Sequence, residues 1–159
     1  MGRKILAVIL GYVAMFVVVM GCLTGAYMLM GADGAFEVGG YEVTSAWLVV
    51  WALVTLGAGV VGGVVCGMVG KSKRAVVSLM VLVVVLGGLY AFSMSNAEAP
   101  AAEDLVRTAE TPSMEAMGKA RSPMWVNISN PILGVLGIMI GGGLSGACRD
   151  RGRSDAGEA

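Results

Sequence analysis

Few side chains in this sequence are equipped for chemistry, and most of those lie inside apolar runs. The three cysteines, Cys22, Cys66 and Cys148, fall in or at the end of such runs, and there is neither a histidine nor a CxxC pair. The common zinc, haem and copper ligand sets therefore cannot be assembled. Free thiols are expected rather than a disulfide framework, and no cofactor is expected. Thr24, Thr55, Ser78, Asn127 and Ser145 punctuate the apolar runs, where a helix carbonyl or a neighbouring helix can satisfy them. They read as packing residues. No nucleophile and base pair and no phosphate-cradling loop is visible, so an enzyme is not expected. The twelve methionines lie mostly in the apolar runs, where a flexible thioether fills gaps beside glycine; a copper-handling methionine cluster is the competing reading.

What the spacing does offer is glycine. In GAGVVGGVVCGMVG, residues 57–70, helical periodicity puts Gly59, Gly62, Gly63, Cys66, Gly67 and Gly70 on one face, with Val60, Val61, Val64, Val65, Met68 and Val69 on the other. A second stripe follows at Gly134, Gly137, Gly141, Gly142, Ser145 and Gly146. In water each glycine would cost a helix about 0.8 to 1 kcal/mol relative to alanine. In a bilayer unpaired backbone is forbidden, so the helix persists and its bare face admits a close neighbour. The candidate helix-packing residues are therefore Gly59, Gly62, Gly63, Gly67, Gly134, Gly137, Gly141, Gly142 and Gly146. The first stripe resembles the glycine-zipper packing of some oligomeric pores, a resemblance that rests on this one motif.

The elements that must carry these stripes are membrane spans. The composition is 57% hydrophobic and 14% charged, with a mean hydropathy of +0.80, which is that of a membrane protein. Formal net charge is zero and no basic stripe with interleaved aromatics is present, so nucleic acid is not an expected partner. After Arg3 and Lys4, the first span runs over 5–30. A signal peptide is the rival reading, but the apolar run continues well past Cys22, too far for a cleaved segment. N-myristoylation fails because position 6 is Leu6. The remaining spans are expected at 46–70, 75–95 and 123–148, the last starting near Pro123 with a bend near Pro131. Trp47, Trp51 and Trp125 fall at the outer edge.

The expected fold is thus all-α: an integral membrane protein with four transmembrane helices in an antiparallel bundle over 1–148. Residues 31–45 form a turn-rich connection with an extended piece, 96–122 an outer loop holding short helices, and 149–159 a disordered polar tail. Asn127-Ile128-Ser129 matches a glycosylation sequon, read as chance so close to the membrane. Gly141-Gly142-Gly143-Leu144-Ser145-Gly146 resembles Gly62-Gly63-Val64-Val65-Cys66-Gly67, as a duplicated two-helix hairpin would give.

Charge then sets orientation. Arg3, Lys4, Lys71, Lys73, Arg74, Arg149, Arg151 and Arg153, eight of the eleven basic residues, fall on the side of both termini. The positive-inside rule makes that side cytoplasmic, in a plasma membrane, with a bacterial inner membrane the preferred setting. Two functions are compatible with this layout. One is a structural or interaction protein, whose partners are the lipid bilayer and copies of itself or another membrane protein. The other is a small oligomeric channel or transporter. The spans carry no ionisable residue at depth and little polar lining, which favours the first. Spans two and four are further expected to touch along their glycine faces. In an up-and-down square of four helices they would be diagonal, so their contact is expected to push spans one and three apart.

Overall fold

The computed structural model describes residues 2–37, 40–95 and 122–146. The expected outer loop, save Ser122, and the tail lie outside the described residues, as does Cys148. The described residues form four helices: α1 (Gly2–Ala35), α2 (Ser45–Gly70), α3 (Lys73–Ser95) and α4 (Met124–Leu144). All four are long and apolar enough to cross a membrane. The fold is all-α, and the chain is a multi-pass membrane protein.

Each boundary has a local cause. In α1 the regular helix is interrupted at Gly31, whose φ of 69° and ψ of 175° suit only a residue without Cβ. The chain then completes a last turn and enters a short hairpin-like connection, in which Phe36 and Val43 form an antiparallel bridge. The Glu37 amide donates to the Glu42 carbonyl at 2.8 Å and the Thr44 amide to Ala35 at 2.9 Å. Thr44 also starts α2: its hydroxyl oxygen accepts from the Trp47 amide at 3.2 Å while the hydroxyl donates to the Gly34 carbonyl at 2.7 Å. One side chain thus caps one helix and ties it to the end of another. Tyr27, Ala35, Phe36, Tyr41 and Val43 bury themselves together beneath this connection, and the Tyr27 ring meets Phe36 and Trp47 edge-on at 6.1 and 5.9 Å.

At the opposite end α2 stops with Lys71 in the left-handed region, φ 44°, its amide bonded to the Gly67 carbonyl. Helix α3 begins two residues later. Helix α4 runs through Pro131 and starts one residue after Pro123, which takes the cap position itself. The ring of Pro131 is accommodated by Gly87 of α3, where an added Cβ would come within 2.9 Å of the proline Cβ. Helix α4 also ends earlier than the sequence predicts, at Leu144 rather than 148. Ser145 closes it, with its amide bonded to Gly141 and its hydroxyl donating to Gly142 at 2.8 Å, and Gly146 follows at φ 72°. A left-handed glycine after the last turn is a common way for helix carbonyls to be satisfied.

Helix α2 is the hub. It packs most extensively against α1 and α4, α4 packs on α3, and smaller contacts join α3 to α1 and to α2, whereas α1 and α4 do not meet. The order around the bundle is therefore α1, α2, α4, α3. This corrects the expected square: α2 and α4 are neighbours, as anticipated, but α1 and α3 also touch, and the pair that separates is α1 with α4. The physical reason lies in side-chain size. Small residues on α2 cover an arc wide enough for two helices, so α1 and α4 each settle on it. The main core, around Ala7, Met15, Cys66, Ala75, Val76, Leu79 and Ile138, draws on all four helices.

Candidate helix-packing seam

Along α2 the residues Thr55, Gly59, Gly63 and Gly67 form one row at steps of four, and Ala58, Gly62, Cys66 and Gly70 form the adjacent row; all eight are buried. The rows serve different partners. A Cβ added at Gly59 would lie 2.7 Å from the Gly134 carbonyl oxygen and 3.0 Å from the Gly137 Cα, and one at Gly63 would lie 2.5 Å from the Ile138 carbonyl oxygen and 3.0 Å from the Gly142 amide. The first row therefore lies against the α4 backbone. At Gly62 an added Cβ would meet the Met15 side chain and, at 2.9 Å, the Gly11 carbonyl oxygen; at Gly70 it would come 3.2 Å from the Ala7 Cβ. The second row lies against α1.

On α4 the stripe divides in the same way. Added Cβ atoms at Gly137 and Gly141 would run into the α2 backbone at Leu56, Gly59, Val60 and Val64, whereas at Gly134 and Gly142 they would meet Val83 and Val76 of α3 at 3.2 and 2.7 Å. Gly67 is buried as well. Gly146 does not join the stripe. It is exposed, past the end of α4, and nothing lies within 4 Å of the position its Cβ would take. The predicted face assumed that the helix continues through Gly146, and the capped end at Ser145 stops it short.

Residues outside the two stripes complete the seam. Ala7, Gly11 and Met15 are a buried row at steps of four on α1, and a Cβ on Gly11 would come within 2.9 Å of both the Cys66 Cβ and the Gly62 carbonyl oxygen. The same periodicity that marks α2 could have marked this row, but a single glycine between alanine and methionine is a weak signal. Leu79, Val76 and Ile138 fill the centre. Two cysteines are described: Cys66 buried in the core and Cys22 exposed on α1. Among the described residues Thr55 is the buried polar side chain, no buried side-chain nitrogen or oxygen lacks a partner, and no three acids or cysteines converge on a common point.

The chain matches no protein-family model, no curated protein and no solved structure. The geometry is thus the ground for any functional reading. Bare backbone lies against bare backbone on one side of α2 and small residues on the other, which brings helix axes close and multiplies weak dispersion contacts. The surface left outside is apolar, with Val13, Phe16, Val17, Val81, Leu89 and Leu136 all exposed.

Proposed function

We propose that this protein is a helix-association protein of the membrane, neither an enzyme nor a channel, whose four-helix unit works by packing with copies of itself or with another membrane protein. What supports the reading is how the unit is built: α2 is packed by α1 and α4 through small residues that are used up inside the bundle, and the faces left for a further copy or a partner are apolar, with Val13, Phe16, Val17 and Leu136 exposed. Glycine at these contacts trades helix propensity for close approach, and close approach is the main source of helix affinity where lipid is as apolar as leucine. The spans hold no acid, base or histidine at depth for an ion to follow, unlike most proton- or ion-coupled transporters.

The orientation we propose has both termini cytoplasmic, in a plasma membrane, since Arg3, Lys4, Lys71, Lys73 and Arg74 gather at one end. A cysteine introduced at Ser113 should then react with an impermeant reagent added outside intact cells, and one at Ser154 should not. The opposite labelling pattern reverses the topology. The function itself is tested by isolating the chain in a bilayer mimetic with its native companions and measuring the intact mass of the particle. A defined assembly, of copies or with another membrane protein, is the expected result. An assembly of copies that conducts ions once reconstituted into vesicles would instead establish the channel reading.

A further inference from the structure

At the end of the bundle where α2 turns into α3, three elements meet over bare backbone. A Cβ on Gly70 would lie 2.7 Å from that of Ala75 and 3.2 Å from that of Ala7. Directly beside this junction stand Arg3 and Lys4 on α1, Lys71 in the turn, and Lys73 and Arg74 on the first turn of α3, all exposed. The Arg3 Nε donates to the Val69 carbonyl at 2.9 Å, which fixes the guanidinium across the end of α2; its two terminal nitrogens carry four further N–H donors. The acids among the described residues, Asp33, Glu37 and Glu42, lie at the far end of the bundle, in the last turn of α1 and in the connection to α2. The basic end therefore has no carboxylate opposite it among those residues. Two α2 carbonyls that would oppose an anion are already engaged, Gly67 by the Lys71 amide and Val69 by Arg3. The positive end of the 23-residue helix α3 adds to the same field.

Below these charges the surface turns apolar within a single helical turn. Leu6 and Leu10 on α1, three and seven residues on from Arg3, and Val77 and Val81 on α3, four and eight on from Lys73, are exposed, and α1 and α3 are neighbours. Cationic groups at the rim of an apolar strip match a molecule with a negative head and two hydrocarbon tails. We propose that this end of the α1–α3 face is a binding surface for an anionic phospholipid. Its phosphate sits among Arg3, Lys73 and Arg74, and its chains lie along the leucine and valine side chains beneath. Charge-assisted bonds to phosphate are the strong ones, and each basic residue near an anionic leaflet contributes about fivefold in binding. The chemistry favours a lipid over a free anion because the charges border hydrocarbon.

The test uses the full chain in detergent, with phosphatidylglycerol or phosphatidylcholine of identical acyl chains added, and reads retained lipid by native mass spectrometry. Phosphatidylglycerol is expected to be retained and phosphatidylcholine not. The double variant Arg3→Gln/Arg74→Gln should weaken retention by about fivefold for each charge removed, while Glu42→Gln at the opposite end should leave it unchanged. Equal retention of the two lipids overturns the proposal, as does parental retention in the double variant. Displacement of the lipid by inorganic phosphate would show a site for free anions and also overturn it.

Discussion

Gly31 and Thr44 fix the outer junction between α1 and α2 by different means. Gly31 holds a backbone conformation, φ 69° with ψ 175°, that side-chain-bearing residues reach only at a cost of about 1–3 kcal/mol. No atom lies within 4 Å of where its Cβ would be, so Gly31→Ala should be destabilising through strain alone, by about that amount, in equilibrium unfolding in micelles. A neutral substitution would mean that the helix straightens through this point. Thr44 acts through hydrogen bonds, accepting from Trp47 and donating to Gly34. Thr44→Ala should cost about 1–2 kcal/mol, and Thr44→Ser should restore most of it. Trp47 reports on the junction directly because its ring rests on Tyr27; its fluorescence should shift in the alanine variant and not in the serine variant.

At the scale of elements, the glycines of α4 divide into those that face side chains and those that face backbone, and the two kinds should respond differently to repair. A methyl at Gly142 would meet the Val76 side chain at 2.7 Å, whereas one at Gly141 would meet the Val60 backbone. Gly142→Ala should therefore destabilise, and the double variant Gly142→Ala/Val76→Ala should recover part of the loss, a coupling that a double-mutant cycle can measure. Gly141→Ala offers no side chain to trim and should stay damaged when Val76 is cut back. The elements themselves were legible from run length and from the basic residues at their ends, because hydrocarbon thickness leaves little choice. The buried faces of α2 and α4 were legible as well, since small residues recur at helical steps. Their division between partners was not. Periodicity reports which side of a helix is small but not how many neighbours share that side. The early end of α4 was also hidden, because Gly146 reads equally well as the next member of the stripe and as the left-handed residue that closes the helix. The row Ala7, Gly11, Met15 was not legible either, because a lone glycine does not mark a small-residue face.

For the whole molecule, the order α1, α2, α4, α3 follows from one helix having room for two neighbours. The sequence alignment that equates the two glycine runs pairs Gly63 with Gly142, and these two residues do meet at the α2–α4 crossing. A twofold-related pair of hairpins would also require α1 to meet α4 as α3 meets α2, and α1 and α4 do not meet. Because the hydrophobic drive between helices is absent in lipid, stability rests on these close approaches, and a single methyl in the wrong place should be felt. The most direct test compares Gly57→Ala with Gly63→Ala by unfolding in micelles. Both lie in α2, but Gly57 is exposed with nothing within 4 Å of its Cβ position, while a methyl at Gly63 would lie 2.5 Å from the Ile138 carbonyl oxygen. Gly57→Ala should be neutral or stabilising by up to about 1 kcal/mol, and Gly63→Ala should destabilise by about 1–3 kcal/mol. Equal effects at the two positions would contradict the packing of α4 on α2 and with it the hub arrangement of the fold.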